Sequence, residues 1–325
     1  MKRFCLGVVL AWLVLSGLWL GGIERQLAVP TPSSRWVFEA SALKTAAAAR
    51  VTGPRVLVVA GSNAMFGIGS AQLEAFWGRP VINLAVNAGL GLRYILAASR
   101  RVARAGDVIV LPMEYALYLD AGGPNAQVID FAIARDPDYW RSLDWRQRLG
   151  FAAGMAPERW LQGLRGLADP AISSGVYGAH HLDARGDQTH TAAADQSSAD
   201  LAAVRSARTW HYGARAAREE GGWTLLADYA GWARAQGICV VAVPAALMHD
   251  QHYDHDPQEA DFYASLPARI RATGLAYLGT PRDFMYPPDW FFNSEHHLQD
   301  WARREHTARL LALFQNDPLG ACPKL

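Results

Sequence analysis

The sequence predicts an α/β protein with a doubly wound, mostly parallel sheet, a helical insertion and an N-terminal transmembrane anchor. Three observations predict it. Short apolar runs alternate with amphipathic stretches, that rhythm breaks once mid-chain, and the chain opens on a long uncharged segment. Strands of a parallel sheet covered on both faces are apolar throughout, whereas half-exposed strands alternate.

The opening comes first. Lys2 and Arg3 precede an uncharged run over 4–23, which Glu24 and Arg25 end. A helix of that length reaches about 30 Å, one hydrocarbon thickness. The positive flank is N-terminal, so the positive-inside rule leaves the remainder outside the cytoplasm. The expectation is a single-pass inner-membrane protein: residues 1–25 are the cytoplasmic start and signal anchor, and the main domain is periplasmic. A cleavable signal peptide is the rival reading. The run exceeds an h-region of about 7–15 residues, and Gly17, Gly21 and Gly22 form no convincing A-x-A-like site. Both readings export the domain.

Residues 26–50 read as linker and lead-in, beginning with PTPSS at 30–34. Strands are expected at 55–60 (RVLVVA), 81–86 (VINLAV), 107–113 (DVIVLPM), 238–243 (ICVVAV) and, shorter, 276–278. Helices are expected at 71–77, 91–103, 223–235 and 299–314. Strands alternating with helices imply βαβ units and hence a parallel sheet. The α/β domain spans 51–325, interrupted at about 118–222 by a helix-prone, aromatic-rich insertion. Within it, 183–200 (DARGDQTHTAAADQSSAD) reads as a mobile polar loop.

Composition excludes some functions. A net charge of +1 without a basic stripe argues against nucleic acid as a partner. Cys5, Cys239 and Cys322 are scattered and supply neither a disulfide framework nor a C-x-x-C metal spacing. No cofactor is expected.

The candidate site lies at the carboxyl ends of the strands, where ligands bind in parallel α/β sheets. Gly61-Ser62-Asn63 follows the first strand directly and precedes a helix, whose N-terminus favours a developing negative charge. A serine there serves equally as a turn or N-cap residue. Asn87-Ala88-Gly89 ends the second strand, and Asn87 and Gly89 join the Ser62 N–H as candidate oxyanion donors. FFNSEHHL at 291–298 precedes the last helix, where a loop can bring an imidazole to Ser62. Asn63 and Trp290 are candidate substrate contacts. Glu114, after the third strand, reads equally as a supporting acid or a structural carboxylate.

These blocks resemble the SGNH (GDSL-like) hydrolase superfamily. Its members carry G-D-S or G-S-N after the first strand, a glycine after the second and an Asp-x-x-His-type loop before the last helix. GDVIVLPMEYALY at 106–118 and the closing FFNSEHHL also resemble membrane-anchored proteins of exopolysaccharide O-acetylation, in alginate and cellulose systems. The resemblance implies a flavodoxin-like three-layer sheet and a Ser–His–acid triad using Ser62 and His297. It implies esterase or O-acetyltransferase chemistry on acyl esters of a polysaccharide. It also implies partners such as a membrane acyltransferase or polysaccharide synthase. Two departures stand out. The acid position holds Asn293 or Ser294, with Glu295 as the nearby carboxylate, and the third-block Asn is absent. An amide orients an imidazole but does not stabilise the imidazolium. A degenerate domain that binds glycan or a partner acyltransferase is therefore the alternative.

MHDQHYDHD at 248–256 carries histidine and carboxylate donors, but His249, His252 and His255 share no helical face. No metal is expected there. The tryptophans Trp140, Trp145, Trp160 and Trp210 read mainly as core.

Overall fold

The computed structural model describes residues 1–166, 176–218 and 221–316; Cys322 lies outside them. The chain divides into two compact units, Met1–Phe38 with Gly123–Ser174, and Glu39–Gly122 with Gly175–Leu325. The stretch expected as one insertion is thus shared between the units.

The first unit is helical. Its opening helix, Lys2–Arg25, is long and apolar enough to cross a membrane, with a mean hydropathy of 2.1. The other helices gather at its C-terminal end. Trp160, on the helix Pro157–Arg165, stacks on Trp19 with ring centroids 5.3 Å apart. Its indole N–H donates to the Trp19 carbonyl at 3.0 Å, and the Trp19 indole donates to the Ala152 carbonyl at 2.8 Å. Gly22 makes this possible: a Cβ there would stand 2.4 Å from the Trp160 ring. Trp140 donates to Glu24. Residues 30–34 are more than a tether, because Thr31 and Ser33 both donate to Asp130, which also pairs with Arg159. The Trp140 and Trp160 indoles are thus spent on packing and hydrogen bonds, Trp140 buried and Trp160 half-buried; Trp145, expected in the core, is 67% exposed instead.

Among the described residues the second unit holds every strand: β1 (Val56–Val58), β2 (Val81–Asn83), β3 (Val108–Leu111), β4 (Cys239–Ala242), β5 (Leu247–Met248), β6 (Ala276–Tyr277), β7 (Met285–Tyr286), β8 (Phe291–Ser294) and β9 (His297–Leu298). The central sheet has the order β2-β1-β3-β4-β6, and all its pairings are parallel. The fold is therefore α/β with a parallel sheet, as expected. Val56, Leu57 and Val58, like all of β3, are buried, which is why these runs carry no polar alternation. The chain leaves β1 toward β2 on one side and continues from β3 toward β4 on the other. The strand order thus reverses between β1 and β3, the position where open α/β sheets form a crevice. At the opposite end, buried Arg55 pairs with buried Asp107 at 2.7 Å, joining the starts of β1 and β3.

Two expectations need correction. The polar run 183–200 is not a free loop. Asp187, Gln188 and Thr191 are buried, and Asp187 accepts from Ser70 N–H, Ser70 Oγ and Asn83 Nδ2. The backbone joins in: Asn83 N–H donates to Arg185, Gln188 N–H to Met65 and Asp300 N–H to Thr191. Local polarity misled because these partners lie far away in sequence. The segment before the last helix is not a simple loop either, but the antiparallel hairpin β8–β9, pairing Phe291 with Leu298 and Ser294 with His297. Strands this short leave no periodicity to read.

Candidate active site

Ser62 opens the short helix Ser62–Gly67 immediately beyond β1. The turn is forced to be tight: a Cβ on Gly61 would stand 2.4 Å from Glu114 Oε1 and 2.5 Å from the Ala88 nitrogen. Glu114, beyond β3, grips this turn on both sides of the serine. Its Oε2 accepts the Gly61 N–H and its Oε1 the Asn63 N–H, each at 3.0 Å. An ionised carboxylate, an acceptor only, suits two N–H donors. Burial pushes the Glu114 pKa up; the nearby His296 and these N–H groups hold it down. Glu114 is thus a positioning residue for Ser62. The Ser62 N–H itself meets no acceptor among the described residues.

His297, in β9, completes the contact. Its Nε2 lies 2.8 Å from Ser62 Oγ, and its Nδ1 lies 2.7 Å from Asn293 Oδ1 in β8. An amide oxygen only accepts, so Nδ1 carries the proton and Nε2 presents its lone pair to the serine hydroxyl. The imidazole stacks on Phe66, centroids 4.0 Å apart and planes within 10°. Tyr177 closes the remaining edge, its hydroxyl 3.2 Å from Nδ1 while accepting from Asn293 Nδ2 at 3.3 Å. Tyr177 escaped the sequence reading because it sits in the stretch taken as an insertion; no local motif marks it.

Burial, with a smaller contribution from His296, lowers the His297 pKa to about 3. The ring is therefore neutral at pH 7, which a base requires. With no carboxylate on Nδ1, however, protonating it costs more than in a complete triad.

The other expected site residues, Asn87 apart, are engaged elsewhere. Glu295 does not reach the imidazole: its Oε1 accepts from Trp210 Nε1 at 2.9 Å, so Asn293 occupies the acid position alone. His296 is turned to the Ala246 carbonyl, Nδ1 to O 3.1 Å. Asn63 is buried, with Nδ2 donating to the Pro112 carbonyl at 2.6 Å, so it braces the turn and offers no surface to a substrate. Trp290 stacks on Tyr286 at 4.3 Å and meets Trp301 edge-on at 4.9 Å, so aromatic packing occupies it instead of a ligand face. Gly89 is no free oxyanion donor, since its N–H is spent on Asn87 Oδ1 at 2.8 Å. Asn87 is held by that cap with its Nδ2 unpartnered among the described residues.

Comparison with known proteins yields no match: no family model, no curated protein and no solved structure matches the chain. Its chemistry must be argued from the geometry.

Proposed function

We propose that the chain is a serine esterase or O-acetyltransferase of SGNH type, acting on acyl esters of an exopolysaccharide. The observation that carries this reading is the run of contacts Ser62 Oγ–His297 Nε2–Nδ1–Asn293 Oδ1, at 2.8 and 2.7 Å. In the proposed cycle Ser62 Oγ attacks the acyl carbonyl while its proton passes to His297 Nε2. The Ser62 N–H and the Asn87 amide bind the oxyanion. Collapse breaks the ester bond, and the departing sugar oxygen takes the proton from His297. A water or glycan hydroxyl then attacks the acyl-serine, giving its proton to His297 Nε2; the bond from the acyl carbon to Ser62 Oγ breaks and Oγ takes that proton back, which completes hydrolysis or transfer. The helix Lys2–Arg25 supports attachment to the inner membrane, and the charge of Lys2 and Arg3 supports a periplasmic domain.

The test is full-length protein in detergent with an activated acetyl ester and a fluorophosphonate probe. Turnover and labelling at Ser62 are expected, both absent in Ser62→Ala. Asn293 in the acid position favours a second reading, a degenerate domain that binds glycan or a partner acyltransferase without chemistry. That reading expects polysaccharide binding with no serine adduct, so an adduct at Ser62 rejects it.

A further inference from the structure

We infer that His211, His252 and Glu259 form a binding site for a divalent transition ion of the zinc class. Each offers one ligand atom, and these atoms all lie within 4.8 Å of one another. Among the described residues this is the set of His, Cys, Asp and Glu that converges in this way.

Two buried polar atoms point to a missing ligand. Glu259 is 1% exposed; its Oε1 accepts from Gly213 N–H at 2.7 Å, but its Oε2 is buried with no partner. The Nε2 of His252 is likewise buried without a partner. Buried polar atoms in folded proteins are overwhelmingly paired, so two orphans in one cluster call for an explanation. His211 stands edge-on to His252 with ring centroids 4.6 Å apart, instead of donating to the orphan oxygen. A cation between two imidazoles and a carboxylate would satisfy both orphans at once.

The donor set fits zinc. Two imidazoles and one carboxylate are borderline ligands, and three protein ligands leave a fourth tetrahedral position for water. Bond lengths of about 2.0–2.2 Å set tetrahedral ligands roughly 3.4 Å apart, so the set must close by a little over an ångström at its widest. His211 is the exposed member of the set, so its side chain is the one that would have to move. Supporting bonds are in place: Gly213 N–H fixes the carboxylate, and the His252 backbone N–H donates to Asp250 at 2.8 Å. The three residues come from separate segments: His252 from the short helix His252–His255, Glu259 from the helix Pro257–Ala272, and His211 from just before Tyr212–Ala216. The neighbouring histidines do not join them. His249 pairs with Asp254 at 2.7 Å, and His255 Nδ1 meets the Gln251 carbonyl.

The test is zinc binding by the full-length protein in detergent, stripped with chelator and titrated with Zn²⁺ against a chromophoric competitor. One zinc per chain is expected. Loss of an outer-shell partner alone weakens metal sites about 10–100-fold, so His211→Ala and His252→Ala should each raise Kd by about 100-fold or more. Ser62→Ala should bind zinc as the wild type does. Far-UV circular dichroism checks that the exposed His211→Ala variant stays folded. Absence of zinc binding by the wild type overturns the inference. Equal binding by the wild type and the His211→Ala/His252→Ala double variant overturns it too, since the ion would then sit elsewhere, for example at His181 and His190, whose Nδ1 atoms are 3.2 Å apart.

Discussion

Two polar knots are built on neighbouring strands of the same sheet, and they differ in what they leave unfinished. At the end of β2, Asp187 gathers Ser70 N–H, Ser70 Oγ and Asn83 Nδ2 at 2.6 to 2.9 Å. The buried Lys44 beside it donates to the Ala85 carbonyl, and burial lowers its pKa to about 7 against the pull of Asp187 and Asp183. Gly186 threads this knot at φ +94°, where a Cβ would stand 2.5 Å from the Asn83 carbonyl. Both oxygens of Asp187 are taken, and the result is a clasp. At the end of β1 the Ser62 turn is gripped as firmly by Glu114, yet the Ser62 N–H is unpaired among the described residues and the imidazole faces an amide in place of an acid. A saturated network specifies structure; the one with an open donor and a serine–imidazole contact is the network on which the proposed chemistry rests.

The comparison breaks most directly on a pair of variants. Ser62→Ala should lower ester turnover by about 10³-fold or more while leaving the melting temperature near that of the wild type. Asp187→Ala strands several buried donors and should destabilise by roughly 3 kcal/mol or more, measured by denaturant unfolding. A large stability loss in Ser62→Ala, or a stable Asp187→Ala protein, would erase the distinction.

Asn293→Asp sharpens it. A carboxylate on Nδ1 raises the His297 pKa and stabilises the imidazolium formed as Ser62 attacks. In a serine protease with a complete triad the reverse change costs about 10⁴ in kcat, which bounds the gain from above. An increase of at least about tenfold is expected in turnover of an activated ester, together with a shift of its acid limb to higher pH. A loss of turnover would mean that the amide is already the working partner.

Acid tests the burial of the two sheltered imidazoles. His297 and His306 both have folded pKa values lowered to about 3 by burial, His306 with Nδ1 2.9 Å from the Tyr286 hydroxyl. A depressed folded value means that the unfolded chain binds the extra protons. Their stabilisation is present above about 6.5 and is lost as pH falls toward 3. Urea midpoints should therefore drop through this window, and His306→Gln should flatten the drop if the fold accepts it. His297→Gln should flatten it as well, and it alone should also abolish turnover.

What the sequence discloses follows the range of the interactions. The β1, β3 and β4 runs and the helices Gly91–Val102 and Trp223–Ala235 were legible because burial marks each one; Ser62, His297 and Asn293, which the structure brings within hydrogen-bond distance, were singled out through the family resemblance. The Asp187 clasp was not, since its meaning lies in Ser70 and Asn83, more than a hundred residues away. Tyr177 was hidden for the same reason, and so was the approach of His211 to His252 and Glu259; the β8–β9 hairpin escaped because strands so short leave no periodicity to read. Glu114 was visible as a carboxylate after β3, but only three dimensions reveal which N–H groups it holds.

Glu114 therefore supplies the smallest and most discriminating test. In Glu114→Gln one oxygen still accepts an N–H, but the new amide group turns its own N–H toward either Gly61 or Asn63 and leaves that donor buried and unpaired. A stability loss of about 1–3 kcal/mol is expected. Because the displaced donor lies one residue from Ser62, the proposed nucleophile, kcat should fall while KM for a small ester stays nearly constant. A carboxylate that merely filled space would change stability and leave kcat alone, so the kcat-to-KM split separates a grip on the turn from simple packing.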